Sequence, residues 1–254
     1  MGAFLSALGF LTVFPVPAGA SSPTQLSRGR VWFPVVGAVL GLALAGMDAG
    51  LHLILPLGVT SALIVVALVF ATRALHLDGL MDAADGALGG NTPERRLEIM
   101  RDPHVGAFGV AAAAAVMLVK WSALASLAGE TRFWAIAVFP LVSRWSMVLA
   151  MSAFQYTRSQ GIGTAFQDRS VRFTSGLATL FALGAAFLLG TWGGLVMIGA
   201  GYLVAVVLGA ALARALGGLT GDTYGAINEV TETVALVVAA ALVPLAVLRP
   251  VPNL

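Results

Sequence analysis

Residues 73–109 read RALHLDGLMDAADGALGGNTPERRLEIMRDPHVGAFG and hold six of the chain's 12 carboxylates: Asp78, Asp82, Asp85, Glu94, Glu98 and Asp102. Such a run stands out in a chain of 254 residues that is 59% hydrophobic and 10% charged. Like charges this close repel, and beside a bilayer they are costly to desolvate, so the run calls for a cation to neutralise it. Arg73, Arg95, Arg96 and Arg101 share the stretch and offer guanidinium groups to anions. Carboxylates for a metal beside arginines for phosphate are the makings of a phosphoryl-transfer site. The sequence on either side of the run is membrane frame.

Working outward, apolar segments long enough to cross the hydrocarbon core occur about seven times, with six to eight tolerated by the blurred boundaries. They fall at 33–53, 55–73, 105–127, 133–152, 174–192, 195–214 and 232–249, with Gly193-Gly194 as the turn between the fifth and sixth. The fold class expected is all-α: a polytopic transmembrane helical bundle forming one integral-membrane domain over residues 1–254, with an acidic helical hairpin on its cytoplasmic side. Residues 1–17 lack a basic leading region and are interrupted by Pro15 and Pro17, which favours a retained interfacial or re-entrant helix over a cleaved signal. Most arginines outside the spans, from Arg28 to Arg214, thread to one side, and the positive-inside rule assigns that side to the cytoplasm of a bacterial or archaeal cell. The acidic run, the 153–173 loop and a polar 215–231 loop then share that face.

The net charge of +2 is spread over several loops, so the basic stripe of a nucleic-acid binder is absent. With no cysteine, disulfides, thiolate zinc sites and a cysteine nucleophile are excluded. Gly37/Gly41, Gly86/Gly90 and Gly217/Gly221 stand at small-xxx-small spacing and read as helix-packing contacts, with a homo-oligomer left open.

Within the run, Asp78, Asp82 and Asp85 are spaced i, i+4, i+7 and share one helical face. Glu94, Glu98 and Asp102 repeat the four-residue step on a second helix, started by Thr92 as N-cap and Pro93 at the first position. Gly86, Gly89 and Gly90 let the chain turn back, so two carboxylate ridges can face each other in the 73–104 segment. Hard oxygen donors favour magnesium, with manganese second, over zinc. The competing reading is a solvated loop whose acids pair with neighbouring arginines, as Glu98 does with Arg95 or Arg101 at helical spacing. The three aspartates of the first ridge lack such partners, which favours the metal.

The run HLDGLMDAADGALGG…ERRLEIMRDPHVGAFG resembles the signature of the cobalamin synthase (adenosylcobinamide-GDP ribazoletransferase) family. FLSALGFLTVFPVP near the start, WFPVVGAVLG at 32–41 and TGDTYGAINEVTE at 220–232 are similar to that family in the same order. Thr12-Val13 departs from the family's usual polar or basic residue. The resemblance implies transfer of the adenosylcobinamide-phosphate group from adenosylcobinamide-GDP to alpha-ribazole or its 5′-phosphate, with release of GMP and with magnesium required. A more distant likeness is to CDP-alcohol phosphotransferases, through Asp82, Asp85, Gly86, then Glu98 and Asp102. Their Ala-Arg pair is missing here, the spacer is shorter, and Glu98 replaces an aspartate.

On this reading Asp78, Asp82, Asp85 and Glu98 are the metal ligands, and Asp102 is the base, with Glu98 as its rival. Arg95, Arg96 and Arg101 hold phosphate. His76 flanks the cluster, and Asp222, Asn228 and Glu229 of TGDTYGAINE complete a substrate site from across the bundle, unless that segment is only a helix-capping loop. The 158–169 loop, RSQGIGTAFQDR, has glycines and flanking arginines suited to a phosphate or ribazole contact, with an ordinary connector as the equal alternative. The rivals are a CDP-alcohol-type membrane phosphotransferase and a transporter. A transporter scatters charges through its spans, whereas here Lys120 and Arg144 look isolated.

Overall fold

The computed structural model describes residues 2–17, 23–157 and 172–243, and the 158–169 loop lies outside them. Ten α-helices run in the order α1 (Gly2–Leu11), α2 (Pro23–Gly29), α3 (Phe33–Leu51), α4 (Leu57–Ala71), α5 (Leu75–Gly89), α6 (Pro93–Ile99), α7 (Ala107–Ser126), α8 (Gly129–Ala153), α9 (Arg172–Leu216) and α10 (Gly221–Leu242), with a 3-10 turn at Arg30–Trp32. The described chain is an all-helical bundle. Among the described residues, five stretches are long and apolar enough to cross a bilayer: Thr24–Leu51, Ala107–Ser126, Gly129–Ala153, Thr174–Leu216 and Gly221–Leu242. The bent pair α4–α5 makes a sixth.

Helix α9 has 45 residues. Laid straight it would be roughly 67 Å long, twice the hydrocarbon thickness. It leaves helical geometry at Thr191, where φ is 53° and ψ is −141°. A Cβ on Gly194 would collide with the carbonyl of Ala186, eight residues earlier, so the two limbs fold back on each other. The reversal starts two residues before the expected Gly193-Gly194 turn, and Gly194 is the residue that allows the limbs to close.

Helix α8 is the hub. Nearly all of its residues from Arg132 to Met151 are buried. Gly37 and Gly41 of α3 lie on it so closely that a Cβ at either would strike the backbone of Pro140 or Ala137. This is the packing role expected of a small-xxx-small pair. Gly217 and Gly221 do not share it. Gly217 has φ +76° in the turn between α9 and α10, a left-handed position suited to glycine, and Gly221 faces open space.

Two boundaries differ from the sequence reading. Helix α5 does not continue α4 but leaves it at 88°. Arg73 and Ala74, both at φ 54°, make the corner. A left-handed residue other than glycine costs about 1–2 kcal/mol. The Arg73 side chain offsets that strain by donating to the carbonyls of Gly9 (2.6 Å) and Thr12 (2.9 Å). The Val13 amide donates to Ala71 at 2.8 Å, which pins α1 to the corner from the other side. Arg73 therefore ties the corner to the C-terminal end of α1.

The second difference is at α10, which begins at Gly221 rather than near 232. TGDTYGAINE is its N-terminal half and not a loop. Thr220 caps it in a capping box with Thr223, whose hydroxyl accepts from the Thr220 amide at 2.8 Å. Hydropathy hides this half because its polar side chains are buried against partners on other helices.

At the end of the bundle away from the acidic run, Arg132 makes a two-pronged pair with Asp48, at 2.8 and 2.6 Å. It also donates to the Ser61 hydroxyl (3.1 Å) and the Leu124 carbonyl, tying α3, α4, α7 and α8 together. Removing one partner strands a buried charge. Asp48→Ala is expected to lower stability by about 3–5 kcal/mol. The apolar pair Asp48→Leu with Arg132→Leu should recover most of that loss, as read by unfolding in detergent.

Candidate active site

Helices α5 and α10 touch backbone to backbone through two glycines. A Cβ on Gly79 would lie 2.8 Å from the Asp222 carbonyl, and one on Gly225 would lie 3.0 Å from that of His76. The contact seats the first turns of the acidic helix on the N-terminal turn of α10. Asp78 is exposed, while Asp82 and Asp222 are half-buried. Asp222 stands in the first turn of α10, where a carboxylate complements the helix dipole, and the Thr220 hydroxyl lies 3.4 Å from it. Three carboxylates from the two strongest motifs thus belong to one helix crossing.

Asp85 has a different task. It is buried, and its two oxygens accept from the Gly106 and Gly109 amides, both at 2.8 Å. These are among the amides left unpaired at the start of α7, whose N-cap is Gly106. A Cβ at either glycine would strike the Asp85 carboxylate. Asp85 docks α7 onto α5 and is best described as a positioning residue beside the ridge.

The second ridge does not face the first. Helix α6 forms as expected, with the Thr92 hydroxyl accepting from the Arg95 amide at 3.3 Å. It meets α5 through Gly86 and Gly90, packed against Met100 and Arg96. Glu98 is exposed and pairs with Arg95 at 2.6 Å. Arg96 donates to the carbonyls of Gly90 and Ala215, both at 2.9 Å, clipping the end of α5 to the end of α9. Of the three arginines proposed for phosphate, Arg95 and Arg101 are exposed and Arg96 is a structural clip. Asp102 sits in the loop before α7. It accepts from the His104 amide (2.9 Å) and meets the ring Nδ1 at 2.7 Å. These bonds, the backbone one first, hold its carboxyl below the usual carboxylate range, so it is ionised at neutral pH.

A further polar cluster lies inside the bundle. Lys120 of α7 contacts Glu229 at 2.6 Å and also Glu232, both of α10. Arg144 of α8 pairs with Glu232 and donates to Ser143 at 3.0 Å. Asn228 donates to Glu232 at 3.1 Å. The second terminal nitrogen of Arg144 reaches His76 Nδ1 at 3.5 Å. All of these side chains are buried, Glu232 and Arg144 completely. Lys120 and Arg144 are therefore not isolated charges. His76, Asn228 and Glu229, expected at a substrate surface, face this interior cluster instead. Their helical spacing is visible in the sequence; that four helices converge on them is not.

The described geometry has a carboxylate-bearing helix crossing, capped and pinned, at one end of a membrane-type bundle. The sequence pattern of the family described as cobalamin-5-phosphate synthase matches residues 3–240. The chain belongs to the cobalamin-5-phosphate synthase family. A protein of Roseiflexus sp. (strain RS-1) named adenosylcobinamide-GDP ribazoletransferase is 38% identical over 231 residues, covering 91% of this chain and 86% of its own. One of the same name from Syntrophobacter fumaroxidans is 39% identical over 247 residues, covering 94% and 98%. A third, from Synechococcus sp. (strain ATCC 27144), is 40% identical over 233 residues, covering 89% and 91%. No solved structure matches the chain.

Within this cobalamin-5-phosphate synthase fold, no group of three or more metal-binding side chains is gathered among the described residues. Asp78, Asp82, Asp85 and Glu98 do not form a closed cage. Buried Trp145 donates to Thr179 at 3.0 Å, and the exposed Trp121 donates to the Gly58 carbonyl at 2.8 Å. Asp85→Ala should leave the α7 amides without acceptors and lower stability by about 1–3 kcal/mol. The loss should be the same with and without added magnesium, measured by thermal unfolding.

Proposed function

We propose that the protein is an adenosylcobinamide-GDP ribazoletransferase of the cytoplasmic membrane. It moves the adenosylcobinamide-phosphate group onto alpha-ribazole or its 5′-phosphate and releases GMP, the nucleotide-loop assembly step of cobalamin formation. The observation that carries the proposal is the family match along nearly the whole chain, together with three relatives bearing that name. The one-sided distribution of arginines supports a cytoplasmic active face.

The reaction is a displacement at phosphorus. A ribose hydroxyl of the ribazole bonds to the phosphorus attached to cobinamide, the bond to the bridging oxygen breaks, and GMP leaves with the electron pair. Asp78 and Asp82, on the helix whose Gly79 meets the backbone of Asp222, are the residues suited to magnesium. Magnesium binds through one or two carboxylates plus substrate phosphates and keeps several waters. An open set of oxygen donors fits that habit, whereas an all-protein cage would not be needed. When bound, the ion supplies charge neutralisation to the diphosphate.

The chain's own residues do the rest. Asp102, an exposed carboxylate that accepts from the His104 amide, is available to take the hydroxyl proton. Arg95 and Arg101 are exposed on the same hairpin and suited to phosphate oxygens. Asp85 and Arg96 hold α7 and α9 around the acidic helix, so that the carboxylates keep their places as substrates bind.

Purified protein in nanodiscs, given adenosylcobinamide-GDP and alpha-ribazole phosphate, is expected to release GMP and form cobalamin phosphate only with magnesium present. Asp82→Asn should cut turnover roughly 100- to 1,000-fold with unchanged unfolding. A folded, fully active Asp82→Asn would remove the metal assignment. Replacing Asp102 by Asn should lower turnover about 100-fold or more, while Glu98→Gln leaves it near wild type.

A further inference from the structure

We propose that the buried cluster around Glu232 sets the placement of the acidic helix α5 on α10, with His76 as its contact on α5. His76, Arg144, Glu232 and Lys120 then act on the reaction only through that placement, as positioning residues. The proposal rests on the functional reading above for its catalytic consequence, though not for its structural one.

Three observations converge. First, the cluster joins the helices that frame the site. Lys120 comes from α7, Arg144 from α8, Glu229 and Glu232 from α10, and His76 from α5. Second, the closest backbone approach of α5 to α10 that the glycines show is at Gly79 and Gly225, which have no side chains of their own to lock one helix against the other. His76 lies beside this contact: its own carbonyl is the atom facing Gly225. A side chain anchored there governs how α5 slides or rotates on α10, and with it the separation of Asp78 and Asp82 from Asp222.

Third, the cluster is poorly built for stability alone. His76 Nε2, Arg144 Nε and Asn228 Oδ1 are buried without hydrogen-bond partners. Buried polar networks left partly satisfied are less stabilising than apolar packing of the same volume, and their best-attested use is to specify one register. Displacing a reacting group by about 1 Å can lower a rate by about 100-fold. A cluster that fixes α5 therefore has catalytic leverage without reaching the substrate.

The chain has no native cysteine, so labels report helix placement directly. Leu88 on α5 is exposed, and Gly221 at the start of α10 has open space around its Cα. Spin labels on Leu88→Cys and Gly221→Cys, read by pulsed electron resonance in nanodiscs, are expected to give one narrow distance. His76→Phe removes the ring nitrogens while filling the space, and should broaden or displace that distance. The same change should lower kcat for GMP release by about 10- to 100-fold with KM for both substrates unchanged. His76→Asn keeps an acceptor near the Nδ1 position and should restore both readouts.

An unaltered distance in His76→Phe overturns the proposal. So does a raised KM that His76→Asn fails to rescue, which would make His76 a substrate contact. If His76→Phe yields no monodisperse protein, Arg144→Lys carries the same distance test. It retains the charge toward Glu232 but lacks the planar fork that also reaches His76. Should the unaltered enzyme release no GMP, the distance measurement still decides this inference, and only the functional reading falls.

Discussion

Glu232 holds two cations inside a membrane-type bundle, and the arrangement of the other helices depends on that pairing. A carboxylate in such surroundings persists only with partners at contact distance, and unpaired lysine or arginine there is equally unfavourable. Lys120 and Arg144 therefore commit α7 and α8 to lie against α10 at one level. The same demand makes α10 helical from Gly221 onward, because only a helix there carries Asn228, Glu229 and Glu232 inward together. His76 extends the cluster to α5, which puts the acidic helix under its influence.

The two ends of the bundle are held by different means. Away from the acidic run, Arg132 and Asp48 close α3, α4, α7 and α8 with a planar, two-pronged ion pair. Toward the acidic run the contacts are glycines and caps: Gly79 on Asp222, Gly225 on His76, Asp85 on the α7 amides, Arg73 on the carbonyls of α1. The first kind resists separation of helices. The second permits close approach of the backbones while leaving Asp78 exposed and Asp82 and Asp222 half-buried.

The charges of the acidic run divide accordingly. Asp85, Arg73 and Arg96 spend their hydrogen bonds on backbone groups, and Glu98 spends its own on Arg95. The proposed chemistry falls to a small set: exposed Asp78, half-buried Asp82 and Asp222 at the α5–α10 crossing, and Asp102 beside His104. Membership of the cobalamin-5-phosphate synthase family is consistent with so spare a set. Phosphoryl transfer in general asks mainly for charge and position.

Much of this was legible in the residues alone. Composition and the lengths of apolar segments determined a helical membrane bundle, because continuous apolar runs of about 20 residues suit spanning helices, whereas barrel strands are about half as long and alternate in polarity. Thr92-Pro93 determined the start of α6, and the i, i+4, i+7 aspartates with TGDTYGAINE marked the family. The tertiary structure alone decided which of the aspartates is a docking residue, that Arg73 and Arg96 are clips, and that α10 begins eleven residues early. It also decided that Lys120, Arg144, Glu229 and Glu232 form one cluster. The physical reason is that hydropathy counts each residue by itself, whereas a buried charge is tolerated only through its partner. Those partners lie up to 112 residues away along the chain, where no local pattern records them.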